Sequence, residues 1–469
     1  MAKKKESYIC SSCGYVSSKW MGQCPQCGSW NTLEEVEALP QEVTPARAKT
    51  QAVRPKEIKA LKDITADRSR RYVTGISEFD RVLGGGLVRD SLLILAAKPG
   101  AGKSTLLLQT AQCVAEQGHT VLYISGEESE SQIRRRAERI LSGIHPKIWV
   151  HSTTSMNQIL GAVQEVDPSV MIVDSIQTMA LDENASRPGS PTQIMECTQL
   201  LMKLAKDPDH PRAILMAGQL TKDDELAGVR ALEHMVDTVL YMEADNGEDL
   251  RTLSATKNRF GSTGEMGFFT MEEDGLKAID NPSEYFMTRR APGQEVTGSA
   301  LTVVKEGTRP VIAEVEALVS QSFTPYPSRI SECMKRDQLS TLISILEQRA
   351  GHPLYDKNVV IKTTGGLKLN QQSANLAVIM AIVSSALRKS IPVDSVFIGD
   401  VGLTGELKKV PQLESRIREL MRMGFGRVYI PAGALRRDVL EKYPDIEIKA
   451  LRTLPQVLKD VFGDIKPVF

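Results

Sequence analysis

The chain has 469 residues, more than one core accommodates, so two or three domains are expected. Lys plus Arg equals Asp plus Glu at 58 each, in an ordinary globular composition of 41% hydrophobic and 25% charged residues. Overall charge therefore points to no polyanionic partner, and any nucleic-acid surface must arise from local clustering. The basic start, residues 1–5, is followed by no apolar segment of signal-peptide type, and the longest apolar run, residues 376–383, is far too short for a membrane span. Seven cysteines, four of them in two CxxC pairs, fit metal binding in a reducing compartment, so a cytoplasmic protein is expected.

Residues 1–33 form a first unit. Cys10 and Cys13, then Cys24 and Cys27, stand at CxxC spacing, with Gly14 and Gly28 directly after each pair. Such glycines permit the tight turn that brings two thiolates to one tetrahedral ion. Four protein ligands predict a closed, structural Zn2+ site, with Trp20 and Trp30 as the small core around it. Residues 34–57 are rich in Pro, Glu, Ala and Lys without apolar period, and read as a linker.

Residues 58–285 alternate apolar strands with helices, which predicts a parallel-rich α/β sheet covered on both faces. Its centre is the apolar run 92–97, a turn, and a helical pattern that opens at Lys103. Pro99, Gly100, Ala101, Gly102, Lys103, Ser104 and Thr105 read as a phosphate loop: backbone N–H groups cradle phosphate, Lys103 reaches the terminal phosphates and Ser104 holds Mg2+. The pattern lacks its first glycine, where Ala97 stands. Three strand ends supply the remaining parts. Glu127 follows strand 121–125 as a water-activating carboxylate, Asp174 closes strand 170–174 as an Mg2+ partner, and Gln219 stands just past strand 213–217 as a γ-phosphate sensor. Lys257, Asn258, Arg259, Phe260 and Gly261 read either as a solvated basic turn or as a cationic finger reaching a neighbouring subunit's γ-phosphate. Two polar loops, 181–191 with Arg187 and 221–230 with Lys222 and Arg230, read equally as plain surface or as DNA-tracking loops.

Residues 286–469 read as an α+β unit without a cofactor loop, carrying Arg416, Arg418, Arg422, Arg427, Arg436 and Arg437 as basic surface.

The paired CxxC motifs with residues 19–24 and 29–32, the phosphate loop, residues 125–129, 232–237 and the 257–261 pentapeptide together resemble the bacterial RadA (Sms) family over the whole length. The resemblance implies a RecA-like ATPase core, a hexameric ring on single-stranded DNA, and ATP-driven branch migration or unwinding beside a RecA-type recombinase. It implies ATP, Mg2+ and Zn2+ as cofactors, Glu127 as the catalytic carboxylate, and Lys257 and Arg259 as couplers of DNA and ATP between subunits. The C-terminal unit resembles the Lon protease domain, with Ser373 at the nucleophile position. Glu414 stands where the dyad lysine is required, which disfavours the alternative of an ATP-dependent serine peptidase.

Overall fold

A computed structural model describes residues 7–17, 19–36, 60–63, 71–220, 230–244, 249–288, 290 and 294–464. The chain divides into two compact units: Met1–Ala244 with Arg251–Thr263 and Met271–Lys277, and Asp245–Leu250 with Gly264–Thr270 and Ala278–Phe469.

A three-stranded antiparallel ribbon places Ser7–Cys10 between Val16–Ser17 and Leu33–Val36. Its interior consists of Cys10, Cys24 and Leu33, with Tyr8, Cys13, Tyr15 and Met21 packed against them. The tryptophans do not form this core. Trp20 and Trp30 are 56% and 70% exposed, because a ribbon this short spends its interior on the cysteines themselves.

The nine-stranded sheet runs Gly275–Ala278, Met266–Glu272, Leu250–Asn258, Thr238–Ala244, Leu92–Ala97, Ala213–Gln219, Val170–Asp174, Val121–Ser125, Ile148–Ser152. The six strands from Thr238–Ala244 to Ile148–Ser152 pair in parallel, as the helix-alternating pattern requires, and Leu250–Asn258 turns back antiparallel. Leu92–Ala97, Val121–Ser125 and Val170–Asp174 are buried at every position, which is why these runs are continuously apolar rather than alternating. Helices Met156–Val166 and Pro191–Ala205 start at Ser155 and Ser190, whose hydroxyls accept the Gln158 and Gln193 amides. The apolar stripe Ile194, Cys197, Leu201 and Ala205 then seats the second helix on the sheet. Parallel strands bring all their C-terminal ends to one edge, where open α/β sheets bind ligands.

The C-terminal unit is built on a seven-stranded sheet: Arg329–Ser331, Lys357–Thr363, Arg309–Gln321, Ser299–Glu306, Ser395–Phe397, Arg427–Pro431, Glu447–Leu451. Helix Asn375–Leu387 is apolar all round and is buried from Asn375 to Ser384. Such a helix is a core element. No helix among the described residues is long and apolar enough to cross a membrane.

Candidate nucleotide site and metal centre

The strand Leu92–Ala97 delivers the loop at its buried end. Ala97 is the last residue of that strand, in ordinary strand backbone, so a methyl group is tolerated where the motif usually has glycine. Left-handed backbone is needed instead at Gly100 (φ +82°) and Gly102 (φ +104°), both of which are glycine. Helix Lys103–Glu116 starts immediately afterwards, so its free N–H groups and positive dipole end face the loop.

Ser104 Oγ donates to Asp174 Oδ2 at 2.7 Å, and Lys103 Nζ stands 3.7 Å from Asp174 Oδ1. A hydroxyl and a carboxylate in contact beside a phosphate loop are the oxygen donors that Mg2+ prefers, so these residues fit a magnesium nucleotide. Tyr123 donates to the same Asp174 oxygen at 2.8 Å. Burial, reinforced by the Asp174 charge, pushes the Tyr123 phenol well above its usual range, so it stays a proton donor there.

Three strand ends converge on Glu127. Its Oε1 accepts from Ser175 Oγ at 2.5 Å and from Gln219 Nε2 at 2.9 Å. The turn that carries it is fixed by Ser125 Oγ, which accepts the Glu127 and Glu128 backbone amides at 3.3 and 3.0 Å. Ala97, Lys98, Pro99, Gly100, Gly102, Lys103, Ser104, Thr105, Glu127 and Gln219 line one cavity of about 380 Å3 with Arg136, Arg139 and Met271. Ala101 is buried within the loop and Asp174 beneath it. The residues expected to bind and cleave the nucleotide are thus assembled, whereas Tyr123, Ser175, Arg136, Arg139 and Met271 were not anticipated from the sequence.

Lys257 and Arg259 are elsewhere. Lys257 Nζ donates to the carbonyls of Glu233 and His234 at 2.8 and 3.3 Å, at the C-terminal end of helix Arg230–Met235. Arg259 and Lys206 both pair with Asp237 Oδ1, at 3.2 and 3.1 Å. Asp237 Oδ2 in turn accepts the Leu92 amide, at the start of the strand whose far end carries the phosphate loop. The two ends lie about 17 Å apart at roughly 3.3 Å per residue. Asn258 Oδ1 accepts the Phe260 amide and Arg71 binds the Phe260 carbonyl, which hold the pentapeptide as a defined turn.

Arg187 is exposed on the loop after Val170–Asp174. That loop is organised from below by buried Gln193, which bonds the backbone of Leu181, Asn184 and Ser186. Lys222 lies outside the described residues, and of Arg230 only the helical backbone is described. In the C-terminal unit, Arg416 is not part of a basic surface. It is 2% exposed and donates to Val303 O and Gln371 Oε1, and burial pulls its guanidinium down to about 10. Ser373 Oγ is buried without a hydrogen-bond partner among the described residues, and Glu414 accepts from Tyr443 OH at 3.1 Å. Among the described residues, no general base engages Ser373.

In the ribbon, the four Sγ atoms lie within 4.8 Å of one another. Cys10 to Cys27 is 3.7 Å and Cys13 to Cys24 is 3.6 Å. A tetrahedral ion with Zn–S bonds near 2.3 Å spaces its sulfurs about 3.8 Å apart, so the set fits Zn2+. These separations far exceed a disulfide's roughly 2 Å. Gly14 and Gly28, both at φ +73°, return their amides to the Cys10 and Cys24 carbonyls at 2.8 Å, which makes the two halves of the site alike.

A phosphate-loop ATPase with a parallel α/β core and an attached zinc ribbon is the class that this fold and site define. The comparisons agree: an AAA domain family matches residues 55–203, and a rubredoxin metal binding domain family matches residues 8–35. The chain is 42% identical over 470 residues to the DNA repair protein RadA of Bacillus subtilis, covering 99% of this chain and all of the relative. It is 38% identical to that of Listeria monocytogenes, covering 99% of both chains. A crystal structure of the RadB recombinase matches 45% of this chain and all of its own, at 22% identity and a TM-score of 0.36. The chain belongs to the DNA repair protein RadA family.

Proposed function

We propose that this protein is a DNA-dependent ATPase of the cytoplasm that assembles as a homo-hexameric ring on single-stranded DNA. It drives branch migration or unwinding of branched recombination intermediates, alongside a RecA-type recombinase. The observation that carries the reading is the separation of two cation sets. Lys103 belongs to the chain's own cavity, whereas Lys257 and Arg259 sit at the other end of the Leu92–Ala97 strand. They can serve a nucleotide only in a neighbouring subunit, which makes a ring or filament the functional unit.

In this reading Lys103 and the loop amides hold the phosphates, and Ser104 and Asp174 hold Mg2+. A bound magnesium nucleotide supplies an electrophilic terminal phosphorus. Ser175 and Gln219 fix Glu127 through one oxygen, leaving the other to take a proton from the attacking water. The DNA coupling follows the chain: Gln219 starts the 220–229 segment, the segment leads into Arg230–Met235, and Lys257 holds that helix's last carbonyls. DNA bound through Lys222 and Arg230, together with Arg187, would act on Gln219 and Lys257, the described residues that flank this stretch of chain. The C-terminal unit then serves as a Lon-like scaffold rather than a peptidase.

The test measures ATP hydrolysis with and without single-stranded DNA for wild type, Lys103→Ala and Lys257→Ala, with oligomer size followed by light scattering. DNA-stimulated turnover lost in both variants, with rings retained by Lys257→Ala, is the expected result. Equal turnover with and without DNA removes the motor reading.

A further inference from the structure

Glu127 and Glu128 are adjacent carboxylates with different partners. Glu127 faces Ser175 and Gln219, whereas Glu128 Oε1 is held by Arg136 Nη2 at 2.5 Å. Glu128 is immobile at its backbone: its amide donates to Ser125 Oγ at 3.0 Å and its carbonyl accepts from Ser152 Oγ at 2.8 Å. Arg136 sits on helix Glu130–Ile140, whose start is fixed by a reciprocal cap between Ser129 and Gln132 and whose Ile133, Ala137 and Ile140 face the core. The pair is therefore built from two rigid supports, with each side chain 27% exposed.

Arg136 also lines the cavity that holds Lys103, Glu127 and Gln219. A guanidinium is a planar fork that suits carboxylate and phosphate oxygens alike. A terminal phosphoryl group carries more charge and more acceptor oxygens than one carboxylate, and it competes for the same donors.

The geometry points to Arg136 as a cation supplied by the chain itself to the terminal phosphate of the nucleotide, with Glu128 as the group that holds it ready. The inference rests on the reading that this cavity binds ATP. On binding, the guanidinium exchanges Glu128 for γ-phosphate oxygens. Arg136 thereby gives the cavity its preference for ATP over ADP.

The experiment compares the affinities of the full-length chain for fluorescent ATP and ADP analogues in wild type, Arg136→Ala and Glu128→Gln. Arg136→Ala is expected to lose about tenfold in ATP affinity, the cost of one charged hydrogen-bonded contact, with ADP affinity held within about twofold. Glu128→Gln is expected to tighten ATP alone, because the guanidinium is released from its holder. If Arg136→Ala weakens ATP and ADP by the same factor, or neither, the pair is only a structural brace and the inference is overturned. Should Arg136→Ala fail to fold, Glu128→Gln decides: selective tightening of ATP supports the inference, and equal or no change overturns it. Wild type that binds neither nucleotide overturns the ATP-site reading itself, which is a separate outcome from a wild type whose ATP preference survives Arg136→Ala.

Discussion

Gln219 donates its side-chain amide to Glu127 at 2.9 Å, joining the ends of two strands that the intervening strand Val170–Asp174 keeps apart. Ser175, the residue after that intervening strand, donates to the same oxygen. The carboxylate is thereby aimed by three elements at once. Glu127→Gln is expected to keep nucleotide binding and lose about 10²–10⁴ in turnover, the usual worth of a general base. Gln219→Ala leaves the Ser175 bond and is expected to lower kcat about tenfold with little change in KM. Steady-state hydrolysis and equilibrium nucleotide binding separate the two effects, and a Glu127→Gln variant that still turns over at the wild-type rate removes Glu127 from the chemistry.

The metal centre makes an independent prediction. Cys10 and Cys24 are two of the four candidate ligands and most of the ribbon's buried interior, so removing one is expected to remove the metal and the core together. Cys24→Ser is expected to reduce zinc from about one equivalent per chain to near zero, read by a chromophoric chelator after denaturation. The thermal transition of the ATPase core is expected to stay in place. A full equivalent of zinc in Cys24→Ser would mean that the metal sits elsewhere.

Stability of the C-terminal unit is expected to depend on pH through Glu306. Burial raises its carboxyl to about 7 from an ordinary 4.5. A raised carboxyl favours the folded state fully below the unfolded value, and that contribution is lost as pH climbs from about 4.5 to about 7. Chemical denaturation of wild type should therefore show more stability near pH 5 than near pH 8, and Glu306→Gln should flatten that difference. An unchanged pH profile in the variant assigns the dependence to other groups.

Much of this molecule is legible in the sequence because local chemistry sets it. The phosphate loop, the buried parallel strands and the paired cysteines each depend on residues that are close neighbours in the chain. Ser175 and Tyr123 were missed because their roles depend on strand register. Tyr123 reaches Asp174 only because Val121–Ser125 pairs with Val170–Asp174 with Ser125 opposite Asp174. Arg416 was misjudged for a related reason: its helix face looks solvated, yet the backbone carbonyl of Val303, far back in the chain, takes its charge into the interior. Trp20 and Trp30 show the converse, large apolar side chains left outside a ribbon too small to enclose them.

Ala97 is expected to be replaceable. Its methyl group is buried at the end of an extended strand, so Ala97→Gly removes a small contact and adds unfolded-state freedom. The cost is about 0.5–1 kcal/mol, the usual difference between glycine and alanine in a regular element. ATP affinity should change by less than about threefold, since the phosphate-facing turn is made at Gly100 and Gly102. Denaturant melts and nucleotide titration check both numbers, and a collapse of binding would mean that Ala97 shapes the turn.

Lys257 and Arg259 are held away from their own chain's phosphate loop, so a loop-defective chain and a finger-defective chain should complement one another. Lys103→Ala keeps an intact finger turn, and Lys257→Ala keeps an intact loop. Each alone is expected to be inactive, because every interface in the proposed ring has one defective half. In rings assembled from an equal mixture, about a quarter of the interfaces combine the intact loop of one chain with the intact finger of the other. Mixing under conditions that allow subunit exchange should therefore recover DNA-stimulated hydrolysis to about a quarter of wild type if sites act independently, and to less if they act in concert. A mixture as inactive as its components, with exchange verified by labelled chains, would place Lys257 in its own subunit's chemistry and remove the shared site.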